Sequence, residues 1–124
     1  MYEKQELIKK VEKFILIVRE NLNEIGQYTL EDRFARSPDM MPWVNSLVQS
    51  GQYIIGAPFL ISGSYIAQNE VINSGPFLEN KEGLSGFDII YAENLEEATA
   101  IARACPMVKS GFAIREVRQL VEMD

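Results

Sequence analysis

Residues 86–106, "GFDIIYAENLEEATAIARACP", carry two different periodic patterns one after the other. The first half of this stretch alternates in the manner of a β-strand with two unequal faces. That alternation places Phe87, Ile89 and Tyr91 on one face of the strand and Asp88 and Ile90 on the other. Its second half predicts a helix that Asn94 caps, because a glutamate follows three residues later and apolar residues then recur at helical spacing until Pro106. The stretch therefore predicts a strand that leads directly into an amphipathic helix.

The rest of the chain repeats these two patterns. They predict, in chain order, a short N-terminal helix over residues 4–13, a strand over 13–20, one or two helical turns within 21–36, a helix from Ser37 to Gly51, a strand over 52–59, a hairpin turning at Gln68 and Asn69, and a closing strand over 112–120. Without the additions, this order is β-α-β-β-α-β, the ferredoxin-like α+β unit with two helices on one face of an antiparallel sheet and an inserted hairpin. We expect residues 1–124 to form one domain, with 1–12 as an N-terminal helical extension.

The predicted strands carry too many apolar residues for one covered face. The residues concerned are Phe14, Leu16, Tyr53, Ile55, Phe87 and Ile89. An exposed apolar sheet face of that extent usually marks an association surface. The pattern therefore predicts a homodimer that buries sheet against sheet.

Composition excludes several classes of protein. With 18 acidic and 12 basic residues the net charge is −6, and no lysine or arginine cluster offsets it, so we expect no nucleic-acid partner. The longest apolar run covers only residues 14–18, which is too short for a signal-peptide core or a membrane span. We therefore expect a cytoplasmic protein with no membrane partner.

The chain has no histidine and one cysteine. The missing histidine excludes serine–histidine and cysteine–histidine nucleophile systems and any histidine-ligated metal within one chain. Acid–base chemistry must then come from carboxylates, lysine, tyrosine or water. Cys105 cannot form an internal disulfide, and we expect it to be a small buried apolar residue. No metal site and no cofactor are predicted.

One motif resembles a known family. "SGPFLENKEGLSGF", residues 74–87, is similar to the motif of the YCII-related, or DGPF, family, whose members carry D-G-P-F, then E-x-K-E and a glycine–phenylalanine strand start. The matching residues are Gly75, Pro76, Phe77, Glu79, Lys81, Glu82, Leu84, Gly86 and Phe87. The resemblance continues through "NLEEATAIARACP" and "IREVRQL" and spans about the last two-thirds of the chain.

The resemblance implies a dimeric α+β barrel, which agrees with the fold predicted from periodicity. Most members of the family have no demonstrated activity. A related branch eliminates halide from a hydroxylated aromatic, muconolactone isomerases share the barrel, and a histidine–aspartate pair has been proposed as catalytic in some members. This chain departs from that pattern twice. Ser74 replaces the aspartate that begins the motif, and the chain has no histidine for the proposed pair.

Five residues are the candidates for a site. Glu79 and Lys81 point to the same side of an extended segment. They form either a surface ion pair worth about 0–1 kcal/mol or a partly desolvated pair that orients a polar or anionic ligand. Ser74 would lie at the pocket mouth. Trp43 is either core or dimer contact, or an aromatic pocket wall, and Arg19 is either an anion clamp or a partner for a surface glutamate.

Three functions remain open on this reading. The first is binding of a small polar or oxygenated ring compound in a pocket between sheet and helices. The second is a lyase or isomerase acting on a hydroxylated aromatic or lactone, with Glu79 as base and Lys81 stabilising the oxyanion. The third is a structural or interaction dimer with no ligand.

Overall fold

The sheet is built around β1 (Glu12–Glu20), whose side chains alternate between buried and less buried positions. The computed structural model describes residues 10–73, 78–79 and 82–123, and of residues 78, 79 and 82 only the backbone. Phe14, Leu16, Val18 and Glu20 are the buried positions. Residues of β1 two apart share a face of the sheet, so one face is covered and the other is more open.

Six further strands and five helices follow β1 among the described residues. They are α1 (Leu22–Ile25), α2 (Leu30–Ala35), α3 (Met40–Gln49), β2 (Tyr53–Pro58), β3 (Ser64–Ala67), β4 (Glu70–Asn73), β5 (Leu78–Glu79), β6 (Glu82–Ala92), α4 (Leu95–Arg103), α5 (Pro106–Lys109) and β7 (Ile114–Gln119). None of these helices is both long and apolar enough to cross a membrane.

The strands of the main sheet lie in the order β2-β6-β1-β7, and every neighbouring pair is antiparallel. β5 pairs with the start of β6, while β3 and β4 form a separate two-stranded hairpin. The order of the strands along the chain and their positions in the sheet together match the ferredoxin-like unit, with α3 and α4 as its two crossover helices. The predicted α+β class and antiparallel sheet are confirmed.

Helices α3 and α4 pack on the same face of the sheet. Trp43 and Leu47 from α3 join Ala98 and Ala102 from α4 in one buried cluster with the covered side chains of β1 and β6. Cys105, which follows α4, is fully buried in this cluster, as the sequence predicted. The small alanines let α4 lie close to the strands, which leaves the bulky side chains of α3 to fill the space beside them.

The other face of the sheet is less covered. The register places Ile15 beside Ile89 and Ile89 beside Ile55, so these three form an apolar row across β1, β6 and β2. Ile55 is 55% exposed. On β7 the same face carries Glu116 and Arg118, which are opposite Ile17 and Ile15 of β1. The open face is thus apolar over three strands and charged over the fourth.

Two predicted boundaries are wrong. The predicted helix over residues 4–13 lies mostly outside the described residues, but Glu12 and Lys13 belong to β1, so it cannot extend that far. The predicted start of the next helix at Ser37 is also wrong, because α3 begins at Met40 after Asp39, which makes no side-chain capping bond. Gly51 ends the turn after α3 with a φ of 80°, as its position predicted.

The two additions to the basic unit form as the sequence indicated. Thr29 and Asp32 make a reciprocal capping box at the start of α2, within the segment for which one or two helical turns were predicted. The hairpin of β3 and β4 turns at residues 68–69. No residue of α2 is buried, so this helix is held by the polar contacts described below rather than by core packing.

The hydrogen bonds that cap the start of α4 can be tested by substitution. The Asn94 Oδ1 accepts a hydrogen bond of 2.8 Å from the Glu97 backbone N–H, and the Glu97 side chain accepts one from the Glu93 N–H. Asn94→Ala removes the first bond and should lower the free energy of unfolding by about 1 kcal/mol, measured by urea denaturation. Asn94→Asp keeps an acceptor at the same place and should unfold close to the unchanged protein. An alanine variant as stable as the aspartate variant would contradict this account of the cap.

Candidate functional site

A cavity of about 460 Å³ lies between the sheet and the helices α2 and α3. Its apolar wall includes Phe34, Pro38, Met40, Met41, Val44 and Met107. Its polar groups come from the inward-facing positions of β1, β2, β6 and β7 and from α2. The cavity therefore has apolar sides and a polar floor, the usual composition of a small-molecule site.

The floor of the cavity is an ion pair between Asp88 and Arg115. The Arg115 Nη1 donates to the Asp88 Oδ2 at 2.6 Å. The Arg115 side chain is only 3% exposed and the Asp88 side chain 10%. Asp88 is opposite Leu16 and Arg115 is opposite Val18, so the register places both on the covered face of the sheet. A buried charge must be paired, which makes each of the two residues depend on the other.

Tyr53 extends this pair towards the edge of the sheet. Its hydroxyl donates to the Asp88 Oδ1 at 2.5 Å. Burial raises the pKa of Tyr53 well above its usual value, and the hydrogen bond and the negative charge of Asp88 raise it further, while Arg115 opposes the shift. The phenol is therefore protonated at neutral pH and donates to the carboxylate, while its oxygen can still accept a hydrogen bond.

Gly56 makes room for this arrangement. A side chain at Gly56 would collide with the Asp88 carboxylate and the Tyr53 hydroxyl, and its Cβ would come within 2.7 Å of the Phe87 carbonyl oxygen. Gly56 pairs with Asp88 across the β2–β6 ladder, one residue after the register shifts between Tyr53 and Ile55. The shift sets both Tyr53 and Gly56 on the covered face, and only glycine leaves space there for the hydroxyl to reach the carboxylate.

Arg115 is fixed by several other groups. Its Nη1 also donates to the Leu16 carbonyl at 3.2 Å, its Nη2 lies 3.5 Å from the Cys105 sulfur, and its guanidinium is 5.2 Å from the centre of the Trp43 ring. Its Nε is buried and has no hydrogen-bond partner in the described part of the chain. The arginine is thus held in one position by both sheet and helix, and it presents a rigid cation to Asp88.

A second polar cluster lies where the cavity approaches the end of β1. Ser85 donates to the Glu20 Oε2 at 2.6 Å, and Arg36 donates to the Glu20 Oε1 at 3.3 Å. The Arg36 guanidinium also lies 4.5 Å from the Phe112 ring centre and 5.5 Å from that of Tyr28. These contacts neutralise the buried Glu20 and anchor the chain between α2 and α3 to the sheet.

Arg33 of α2 also lines the cavity. Its Nη1 donates to the Phe59 carbonyl at 2.8 Å and its Nη2 to the Ser85 carbonyl at 3.3 Å. Within the described residues no carboxylate lies within ion-pair distance of its guanidinium. Arg33 therefore brings to the cavity a positive charge that no carboxylate of the described residues neutralises by direct pairing.

Two of the sequence-predicted site residues, Trp43 and Arg19, lie outside the lining of this cavity. Trp43 belongs to the buried core, donates from Nε1 to the Ile101 carbonyl at 3.3 Å, and is not part of the lining. Arg19 lies on the open face of the sheet and pairs with Glu116 at 3.1 Å. Hydrogen bonds from Arg118 and Arg19 lower the pKa of Glu116 below its usual range. For both residues the structure shows the core or surface-pair role that the sequence left open.

The predicted loop residues remain predictions. Ser74 and Lys81 lie outside the described residues, and Glu79 is described only as backbone, in β5 opposite Glu82. Within the part of the chain that is described, no group of three or more acidic or cysteine side chains is placed to hold a metal ion.

The site residues that sequence reasoning missed are Tyr53, Asp88, Arg115 and Arg33. One signal was present, because alternation places Asp88 on the same side as Ile90, which is fully buried. A carboxylate on an inward strand position needs a buried partner. Its partner could not be found from sequence, since Asp88 and Arg115 lie on strands separated by β1 and by 27 positions in the chain.

The buried pair can be tested by removing one partner. Asp88→Ala leaves the Arg115 charge buried and unpaired, and we expect it to lower the free energy of unfolding by about 3–5 kcal/mol in urea denaturation. Asp88→Asn keeps the shape of the side chain and a hydrogen-bond acceptor, so it should lower the free energy of unfolding by less. This variant should remain folded even if Asp88→Ala does not. Arg118→Ala removes an ion pair whose arginine is 68% exposed and serves as the control. If Asp88→Ala were no less stable than Arg118→Ala, the pair would not have the role described.

Comparison with solved structures finds a protein of similar fold. It is the 5-chloro-2-hydroxyhydroquinone dehydrochlorinase TftG from Burkholderia phenoliruptrix AC1100, in complex with 2,5-dihydroxybenzoquinone. The match covers 89% of this chain and 95% of that one, with a TM-score of 0.51 and 18% sequence identity. At that identity the likeness shows the fold alone.

Sequence comparisons identify the family. A search of curated proteins found no match. The model of the YCII-related domain matches residues 13–121, which is nearly all of the chain and includes all of the described strands except Glu12, the first residue of β1. The chain therefore belongs to the YCII-related family.

Proposed function

We propose that the cavity binds a small oxygenated ring compound. The observation that carries this proposal is the contrast between the apolar wall and the Tyr53 oxygen at the floor, which Asp88 and Arg115 hold in place. A volume of about 460 Å³ is within the range of small-ligand sites. The wall favours an apolar body, and the floor favours a hydroxyl or carbonyl substituent.

The wall suits a flat ring in particular. Met40, Met41 and Met107 contribute flexible thioether side chains, which adapt to the shape of a ligand and make favourable contacts with aromatic rings. Pro38 and Pro58 are rigid at the same cavity. The dehydrochlorinase of similar fold holds 2,5-dihydroxybenzoquinone, a ring with oxygen substituents, and a ligand of that size is compatible with this cavity.

The hydrogen bonds of the floor determine the substituent. Both oxygens of Asp88 are occupied, one by Tyr53 and one by Arg115. The Tyr53 oxygen, in contrast, donates its proton to Asp88 and retains a lone pair for a ligand hydroxyl. A ligand hydroxyl that donates to Tyr53 would complete a chain of hydrogen bonds that ends at a buried carboxylate.

The same chain of hydrogen bonds favours acid–base catalysis as a second candidate function. A proton that leaves a bound ring hydroxyl would pass to the Tyr53 oxygen while the Tyr53 proton passes to Asp88, at 2.5 Å. Such a transfer would serve a lyase or isomerase acting on a hydroxylated ring. In this second candidate function Tyr53 and Asp88 together act as the base. The roles predicted from the sequence, Glu79 as base and Lys81 as oxyanion stabiliser, would be in addition to theirs.

We also propose that the protein forms a homodimer through the open face of the sheet. The row of Ile15, Ile89 and Ile55 gives this face an apolar centre, and Ile114 and Leu84, 48% and 44% exposed, extend it. The Arg19–Glu116–Arg118 group lies beside it as a charged margin. An apolar centre with a polar margin is the usual composition of a protein interface.

Ligand binding is tested with a matched pair of compounds. Resorcinol carries ring hydroxyls and 1,3-dimethoxybenzene does not, so calorimetry should show tighter binding of resorcinol. Tyr53→Phe should weaken the binding of resorcinol about 3- to 10-fold, which corresponds to the net contribution of one hydrogen bond. Tyr91→Phe is the control, since Tyr91 is opposite Lys13 and points away from the covered face. If neither compound bound, or if Tyr53→Phe bound resorcinol unchanged, the proposed site would be wrong.

The dimer is tested by sedimentation. We expect a dimer in analytical ultracentrifugation at micromolar concentration and a monomer after Ile55→Glu, because a charge on the open face cannot be buried at the interface. Val48→Glu is the matched control, since Val48 is 54% exposed on α3, close to the 55% of Ile55, but lies on the helical side. A monomeric unchanged protein at that concentration would overturn the proposal.

A further inference from the structure

We propose that the ligand of this cavity is a ring carboxylate that carries a hydroxyl on the far side of the ring, with the hydroxyl at Tyr53 and the carboxylate at Arg33. This inference rests on the proposed ligand-binding function and specifies its ligand class. It depends on three observations: the charges around the cavity, the position of Arg33, and the spacing between Arg33 and the floor.

The first observation is the charge of the cavity. Of the groups that line it, Asp88 is paired with Arg115, and Glu20 is paired with Arg36. Arg36 is not part of the lining, and it also lies 3.9 Å from Glu24. Arg33 has no carboxylate within ion-pair distance among the described residues. Arg33 is thus the lining cation that no direct ion pair neutralises within the described residues, although the chain as a whole has a net charge of −6. An unneutralised cation in a partly apolar cavity favours an anionic ligand.

The second observation is that Arg33 is held in place and still has donors to spare. A guanidinium has five N–H donors. Two of them are used on the Phe59 and Ser85 carbonyls, which lie at the end of the β2–β6 ladder. These bonds reduce the entropy that the long side chain would lose on binding. The remaining donors are sufficient for a bidentate contact with a carboxylate.

The third observation is the spacing between the two ends. The Ser85 carbonyl that holds Arg33 and the Asp88 side chain that holds Tyr53 belong to the same strand, three residues apart. Three residues of an extended strand span about 10 Å. Arg33 and Tyr53 are hydrogen-bonded to these two positions, so we expect their separation to be similar, and a benzene ring with a hydroxyl and a carboxylate para to each other can bridge it. The apolar wall between the two ends would then face the ring.

The number of charges on the ligand also follows from the cavity. Glu20 lines the same region, and its Oε2 is 2.6 Å from the Ser85 hydroxyl, so a carboxylate lies beside the Ser85 position that holds Arg33. A phosphate or a dicarboxylate would bring a second negative charge to the cavity, for which the direct ion pairs leave no cation among the described residues. A single carboxylate matches the one cation that remains. The cavity therefore favours a monoanion.

The test compares three ligands that differ in one group each. Calorimetry at neutral pH measures the affinities of 4-hydroxybenzoate, phenol and benzoate. We expect 4-hydroxybenzoate to bind at least about tenfold more tightly than phenol, because hydrogen bonds to charged groups are the stronger ones. We expect benzoate to bind about 3- to 10-fold more weakly than 4-hydroxybenzoate, because it lacks the hydroxyl that would donate to Tyr53.

The arginine is tested by substitution. Arg33→Gln should remove the preference for 4-hydroxybenzoate over phenol while leaving the affinity for phenol nearly unchanged, and Arg33→Lys should retain part of the preference. An unchanged affinity for phenol shows that the cavity is intact, so a loss confined to the carboxylate is not a folding defect. Arg118→Gln, on the open face, is the control and should keep the full preference. Binding of 4-hydroxybenzoate should also weaken with salt in the unchanged protein more than in Arg33→Gln.

The outcomes separate the inference from the proposed function. If phenol and 4-hydroxybenzoate bind equally, or if Arg33→Gln keeps the preference, the assignment of the carboxylate is overturned while ring binding stands. If benzoate binds as tightly as 4-hydroxybenzoate, the pairing of the hydroxyl with Tyr53 is overturned. If none of the three compounds and no neutral ring binds, both this inference and the proposed function are overturned.

Discussion

The pairing of Asp88 with Arg115 is the constraint on which the rest of this structure depends. Both charges lie on the covered face of the sheet, where an unpaired ion is very costly, so the strands must keep the register that brings them together. β1 separates the two strands that carry them, and Arg115 reaches past it to bond Asp88 and the Leu16 carbonyl. The space between sheet and helices therefore has a polar floor where an apolar core would otherwise continue. The cavity is the result.

The outer wall of the cavity is held differently from its floor. Helix α2 buries no side chain, and its segment is attached through Arg33 and Arg36 to backbone carbonyls, to Glu20 and to two aromatic rings. The floor is thus rigid because its groups are buried and mutually paired. The wall is attached through partly solvated contacts, which contribute less stability than burial of a core. A site with a fixed polar end and a less deeply packed wall can select a functional group while accepting some variation in the rest of the ligand.

Membership of the YCII-related family does not decide the chemistry, because one fold can host many functions. Function must be argued from the groups in the cavity, and these are a tyrosine, a carboxylate and arginines in a chain without histidine. The two faces of the sheet also differ in a way that follows from strand alternation alone. One face carries the buried polar network and the helices, while the other carries the isoleucine row that we propose as the dimer surface.

Local patterns and one contiguous motif were enough to predict the α+β class, the order of the strands along the chain, the cap at Asn94, the hairpin turn and the family. Only the tertiary structure decided which residues meet at the cavity. Tyr53, Asp88 and Arg115 come from three strands, and a register shift in β2 places Tyr53 and Gly56 on the same side. Such long-range pairings leave no periodic signal in the chain. For the same reason Trp43 and Arg19, which suited a site by residue type, lie in the core and on the opposite face.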